Sequence, residues 1–231
     1  MRQFTLSTLA SGHDATRLVD RNPGSRVSVV PNAVRLPVKR RSEERRPESR
    51  PIDILMVGTL NYYPNADAAQ YLCRHVRPHL VKAGWVPRIA IVGRQPVPMV
   101  KELASTEGVE VHADVPEVAP FYADSSIVIV PLRAGGGSRI KILEALSFGL
   151  PVVSTAIGAE GLDLVDGRHL LIADGAEGLA AALLRLRRDR ALARSIGRQG
   201  QALVEGRYSF EEVSKTVDQI TGTNLAAASC R

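Results

Sequence analysis

Two apolar periods alternate along this chain. Short, nearly continuous apolar runs recur at 53–57 (DILMV), 88–92 (RIAIV), 109–112 (VEVH), 127–131 (IVIVP) and 151–154 (PVVS), with glycine or proline at their ends. Runs of that length predict strands buried on both faces. Between them the period lengthens to that of a helix. Ala68, Ala69, Leu72, Val76 and Leu80 mark one helix over about 65–80. Others are predicted over about 97–105, at about 118–123, and after the glycines at 135–137 as far as Gly149 and Pro151. The segment 158–161 reads as a loop, HLLIA at 169–173 as a last short strand, and 179–186 and 191–204 as amphipathic helices. A final helix over 208–220 has Ser209 at its cap and Glu211 and Glu212 in its first turn.

Strand and helix thus alternate from Ile52 to Ala173. The pattern predicts an α/β, Rossmann-like open parallel sheet with helices on both faces. Ligands of such sheets bind beyond the carboxyl ends of the strands, where the loops starting at Gly58, Gly93, Val115, Gly135 and Ala156 should converge. Outside this region the signal weakens. Residues 1–26 are polar and weakly patterned up to the turn Asn22-Pro23-Gly24, and are expected to be a remnant of a preceding domain or disordered. Val27 to Val30 is a strand candidate, 38–51 a charged loop, and 221–231 a frayed tail.

Composition narrows the function without selecting it. The 231 residues are 45% hydrophobic and 23% charged, ordinary for a soluble globular protein able to bury a core. A net charge of +6 suits phosphate-bearing molecules, nucleic acid or an anionic membrane surface. The basic stretch KRRSEERRPESRP is interrupted by three glutamates and holds no aromatic for base stacking, which argues against a nucleic-acid arm. The arginines from Arg185 to Arg194 read as solvated helix faces, with peripheral contact to anionic lipid as the sharper alternative. Cys73 and Cys230 are isolated thiols, there is no apolar run of ~18 residues and no signal-peptide pattern, so a cytoplasmic protein is expected, peripheral at the inner membrane surface if the basic faces meet lipid.

The candidate chemistry lies in GGGSRIKILEALSFGLPVVST, Gly135 to Thr155. Gly135, Gly136 and Gly137 let backbone approach a ligand closely, Ser138 stands where a helix cap would, and the free N–H groups of a helix start favour an anion. Arg139 and Lys141 oppose the helix dipole in the first turn, so a bound anion such as a diphosphate explains them better than helix stability does. Glu144 lies among Ile140, Ile142, Leu143 and Leu146 and needs a partner, either Lys141 or the hydroxyls of a ligand. His112, a lone histidine at a strand end, is assigned no catalytic role. No carboxylate pair of the Asp-x-Asp type argues for a metal.

This stretch resembles the donor-nucleotide motif of retaining GT-B glycosyltransferases, family 4, in which a Gly-rich loop and a helix carry two glutamates separated by seven residues. A subgroup reads Gly-Gly-Gly-Thr/Ser-Arg-x-Lys-x-Leu-Glu-Ala at this point. VSVVPNAV, from Val27, resembles the Val-x-x-Ile-Pro-Asn-Gly-Val entry to that family's second domain, and HADVPEVAPFYADSSIVIVPL resembles its Gly-x-Val-x-Asp stretch. The resemblance implies that residues 27–220 form the C-terminal, nucleotide-sugar-binding domain of the GT-B fold. It implies further that Glu144 holds the ribose, that the main chain near Val115 meets the nucleobase, and that Gly58, Thr59, Asn61 and Gly93 join the donor site. The first glutamate falls at Gly136, so its carboxylate is absent. Thr59 stands where relatives carry an arginine, and no lysine follows before Lys82, so Arg139 and Lys141 take over the leaving diphosphate. The donor is then a nucleotide-diphospho-sugar, with no cofactor or metal, the anomeric configuration is kept, and acceptor contacts come from a missing N-terminal domain or a separate chain. Two other readings stand beside this one: a non-catalytic nucleotide- or partner-binding fragment, and a dinucleotide-dependent oxidoreductase. The second needs Gly-x-Gly-x-x-Gly after the first strand, where GTLNYYPN has one glycine.

Overall fold

The computed structural model describes residues 6–37, 51–137 and 139–229, so most of the charged loop, Ser138 and the last residues of the tail lie outside the described residues. Strands β1 (Ser7–Leu9) and β2 (Val27–Val29) pair in parallel around helix α1 (Gly12–Arg21). Of the lead-in expected to be a remnant of a preceding domain or disordered, the described residues form a strand and a helix. A three-residue strand and a helix with no buried residue leave no apolar period to read.

The main sheet has six parallel strands: β3 (Ile52–Val57), β4 (Ile89–Gly93), β5 (Val109–Ala113), β6 (Ser125–Val130), β7 (Val152–Ser154) and β8 (Leu171–Ile172). Their spatial order is β5-β4-β3-β6-β7-β8. On β3, Leu55 lies in register with Ala90 on one side and Val128 on the other. Ile54 and Leu55 point to opposite faces and both are 0% exposed, so helices cover the two sides of the sheet. The parallel Rossmann-like sheet is therefore as predicted.

The helices follow the predicted order with physical departures. The rod expected at 65–80 is α2 (Tyr63–Tyr71), a π turn (Leu72–Val76) and α3 (Arg77–Lys82). Pro78 has no N–H to return and its ring crowds the carbonyl four residues back. The wide turn before it, closed by the Arg77 N–H on the Leu72 carbonyl, absorbs that conflict. Then come α4 (Pro98–Lys101) with a 3-10 turn (Glu102–Ser105), α5 (Ala119–Ala123) and α6 (Ile140–Ser147). The loop expected at 158–161 is corrected in its first half: Gly158 and Ala159 belong to another helical turn, α7 (Ala156–Ala159), capped by Thr155, whose Oγ1 accepts the Gly158 N–H at 3.0 Å. The last predicted strand shortens to β8.

Three longer helices close the chain: α8 (Gly175–Arg188), α9 (Arg190–Arg207) and α10 (Phe210–Ser229). On α8, Leu179, Leu183 and Leu186 are buried while Arg185, Arg187 and Arg188 are exposed, with Arg187 lying 4.7 Å from the Trp85 ring centroid. Ser209 caps α10 as predicted, accepting the Glu212 N–H at 3.3 Å. The Val34 N–H donates to the Tyr208 carbonyl at 2.8 Å, tying the segment after β2 to the start of that helix. Among the described residues no helix is long and apolar enough to cross a membrane.

Candidate functional site

The strand order fixes where a ligand can sit. From β3 the chain moves outward through β4 and β5, then returns to lay β6 on the other flank of β3. The loops after β3 (58–62) and β6 (131–139) therefore leave neighbouring strands in opposite directions, and a crevice opens between them. A cleft of about 490 Å³ occupies this place.

Its walls approach each other closely. A Cβ on Gly93 would lie 1.7 Å from the Gly58 carbonyl oxygen, so only glycine allows the ends of β3 and β4 to meet here. Gly135 has φ +107°, and a Cβ there would lie 3.0 Å from Cγ of Pro64. The three-glycine turn is held at both ends by arginines. Arg133 pairs with Asp67 on α2, its Nε donating at 3.0 Å, and its guanidinium stands 4.5 Å from the Tyr71 centroid. At the other end Arg139 is only 5% exposed, and its Nη2 donates to the carbonyls of Gly135 (2.9 Å) and Ile157 (2.7 Å). Its Nε is buried without a hydrogen-bond partner among the described residues. Arg139 itself occupies the cap position of α6, with no side-chain cap bond. Loop entropy that three glycines would otherwise leave free is thus restrained by two fixed cations.

Lys141 and Glu144 stand one turn apart on α6, and sequence left open whether each satisfies the other. They make no ion pair. Lys141 Nζ donates instead to Asn65 Oδ1 at 2.6 Å, and Asn65 Nδ2 donates in turn to the Thr59 carbonyl at 2.9 Å. Glu144 Oε2 accepts from the Tyr122 hydroxyl at 3.0 Å. Burial pulls the Lys141 pKa down to about 8, helped by the Arg139 charge and opposed by Glu144. Burial likewise raises Glu144 above the usual carboxylate range, against the Tyr122 hydrogen bond and Lys141. Each charge is therefore held in place by a neutral partner and retains most of its charge-pairing capacity for a ligand.

Of the residues singled out from sequence, Gly58, Thr59, Gly93, Gly135, Gly136, Gly137, Arg139, Lys141 and Glu144 all line this cleft. Ser138 lies outside the described residues. Asn61 and Val115 are not among its lining: the Asn61 amide donates to Gln95 Oε1 on the next loop, and Val118, three residues past Val115, lines the cleft instead. Sequence reasoning missed Asn65 and Tyr122. An Asn at a helix start reads as a turn residue, and a Tyr in a five-residue helix reads as core, so neither carries a local signal of its partner. His112 hydrogen-bonds Glu110 at 3.1 Å and packs on Phe121 with centroids 4.8 Å apart, away from the cleft. Among the described residues no group of three or more His, Cys, Asp or Glu side chains is placed to hold a metal ion.

The parallel sheet, with a glycine turn, a cation and a carboxylate at its reversal point, is a Rossmann-like α/β domain with a polar cleft at its carboxyl edge. The profile of the glycosyl transferases group 1 family matches residues 51–189, and the chain belongs to that family. No curated protein sequence matches the chain significantly. Several solved structures share its fold. Sucrose-phosphate synthase from Thermosynechococcus elongatus superposes with a TM-score of 0.72 at 18% identity, over 96% of this chain and 59% of that one. HepE from Anabaena, solved with UDP and glucose, gives 0.73 at 14% identity over 95% and 63%. The pneumococcal O-GlcNAc transferase GtfA, solved with UDP and GlcNAc, gives 0.74 at 12% over 96% and 45%. The chain thus spans less than two thirds of the length of each.

Proposed function

We propose that this chain binds a nucleotide-diphospho-sugar in the β3–β6 cleft and is the donor-binding part of a retaining glycosyltransferase. One observation carries the reading: Lys141 and Glu144 face one cleft beneath a braced glycine turn without neutralising each other. A cation and a carboxylate so placed match the two ends of a ribonucleoside diphosphate, phosphates at one and vicinal hydroxyls at the other. Lys141 meets the diphosphate. When the bond from the anomeric carbon to the phosphate oxygen breaks, negative charge collects on that oxygen, and a fixed cation in a partly desolvated cleft stabilises it. Arg139, spent on main-chain carbonyls, acts by shaping the turn, so that the backbone of 135–137 faces the phosphates and the transferred sugar. Glu144 accepts from the ribose hydroxyls.

Family 4 membership and transfer with retained anomeric configuration belong to this proposal, supported by the Gly-Gly-Gly-Ser-Arg-x-Lys-x-Leu-Glu sequence at 135–144. So does an acceptor site contributed by a further domain or a separate chain. The scheme uses no cofactor or metal. Isolated thiols support a cytoplasmic setting, and the exposed arginines of α8 and α9 are available to an anionic membrane surface. UDP in the HepE and GtfA structures makes uridine the first base to test. Calorimetric titration of the chain with a nucleoside diphosphate, beside the free nucleoside, tests the reading. Saturable binding that depends on the diphosphate and disappears in Lys141→Met is expected. Absence of binding by the folded chain to any of the common ribonucleoside diphosphates overturns it.

A further inference from the structure

We infer that Tyr122 is a positioning residue for the ribose contact, its hydroxyl fixing the Glu144 carboxylate at the cleft wall and keeping it off Lys141. The inference rests on the proposed role of Glu144 and extends it to a residue on another element. Tyr122 comes from α5, just before β6, and is only 2% exposed. Its ring stacks on Phe148 with centroids 5.3 Å apart at 24°, which leaves the hydroxyl little freedom. That hydroxyl lies 3.0 Å from Glu144 Oε2 and 3.4 Å from the Lys141 carbonyl. A phenol has one proton to give, and the shorter, charge-assisted bond takes it. Oε2 is thereby committed, while Oε1 has no protein partner among the described residues and is left for a hydroxyl.

The carboxylate has an alternative. Lys141 stands one turn earlier on the same helix, close enough to lower the acidity penalty on Glu144. Side chains at i and i+3 on a helix meet readily, and a freed carboxylate in a partly buried cleft would turn to that cation. Such a pair would withdraw both charges from the ligand at once. Tyr122 prevents it with a partner that carries no charge. Burial and Glu144 together push the phenol pKa well above its ordinary value, so the donor keeps its proton. If Tyr122 were only a core aromatic, its ring and stacking would account for its place and the hydroxyl would be incidental.

Tyr122→Phe removes the hydroxyl and keeps the ring. Two measurements on the whole chain separate the roles. The first follows the Lys141 ammonium by NMR through a pH titration of the ligand-free protein; a carboxylate freed to pair with it should raise its midpoint. The second compares calorimetric affinities for a ribonucleoside diphosphate and its 2′,3′-dideoxy analogue. Their ratio should fall by about five- to tenfold in Tyr122→Phe, the worth of one hydrogen bond, while the melting temperature stays near wild type. An unmoved Lys141 midpoint, or a ratio preserved in the variant, overturns the positioning role. Equal losses for both nucleotides with a lowered melting temperature overturn it too, by making Tyr122 a core residue only. A wild-type chain that binds both nucleotides equally removes the ribose contact, and Tyr122's role with it. Wild-type discrimination that survives in the variant instead condemns Tyr122 alone.

Discussion

Raising the pH from 7.5 to 9.5 should discharge Lys141 and leave untouched a nucleoside diphosphate whose base does not ionise in that range, adenosine or cytidine diphosphate, since a terminal phosphate is fully ionised above its second pKa of ~6. Burial holds Lys141 at about 8, against an ordinary value of 10.5. If only the ammonium form binds, the dissociation constant grows as one plus ten to the power of pH minus pKa, which is ~25-fold between these pH values. That is about 1.9 kcal/mol at ~1.36 kcal/mol per tenfold. The complex should also take up a proton, ~0.25 per ligand at pH 7.5 and close to ~1 at pH 9.5. Isothermal titration in two buffers of different ionisation enthalpy measures both quantities. The sign for folding is opposite. A lysine depressed in the folded state costs stability while it is charged, and that cost shrinks as pH rises from about 8 toward 10.5, so the free chain gains stability from this group's titration over the window in which binding weakens. Alkaline unfolding cannot mimic that combination. Lys141→Arg keeps its charge and should flatten the profile. Constant affinity across the window with no proton uptake at pH 9.5 would refute the assignment of Lys141 to the phosphates.

Gly93→Ala should prevent folding or cost well over ~3 kcal/mol in chemical denaturation, because its Cβ would fall 1.7 Å from a carbonyl oxygen; a near-wild-type midpoint would show that β3 and β4 can part. Asn65→Ala strips Lys141 of its anchor and the Thr59 carbonyl of its donor, and should lower stability by ~1–3 kcal/mol and weaken diphosphate binding. Arg139→Met should lower the melting temperature and weaken nucleoside and nucleoside diphosphate alike, through the turn; a selective loss of the diphosphate with unchanged melting would put the guanidinium on phosphate instead. Glu144→Gln should weaken ribonucleotide binding by about 1–2 kcal/mol with little effect on melting, and leave the dideoxy analogue unaffected.

The sheet was legible because its signal is local. Runs bounded by glycine or proline give strands wherever they stand: the central ones are continuously apolar and buried on both faces, while the edge strand β5, from VEVH, alternates and is half-buried. The glycine turn before α6 was legible for the same reason. Elements without a buried stripe were not: α1 hides no residue, and α7 is a single turn whose cap, Thr155, also reads as the end of a strand. Pro78 and the π turn before it show a further limit, since apolar periodicity over 65–80 registers neither a missing N–H nor the wider turn that accommodates it.

Within the site, residue types were legible but their partners were not. Lys141 and Glu144 are one helical turn apart, which from sequence alone leaves open whether they pair with each other or with a ligand. Their actual partners stand far off in the chain: Asn65 lies 76 residues from Lys141, and Tyr122 lies 22 from Glu144. Those distances collapse only because β3 and β6 are neighbours in the sheet, which brings the start of α2, the end of α5 and the first turn of α6 to one crevice. The consequence is energetic. A Lys141–Glu144 pair would have to be broken before a diphosphate and a ribose could be gripped, and breaking a partly buried pair costs several kcal/mol. An amide and a phenol hold the same two side chains apart at a smaller cost to release, because neutral partners can be shared with an incoming ligand. On the proposed function, this leaves the cleft prepared for a ligand that is anionic at one end and rich in hydroxyls at the other.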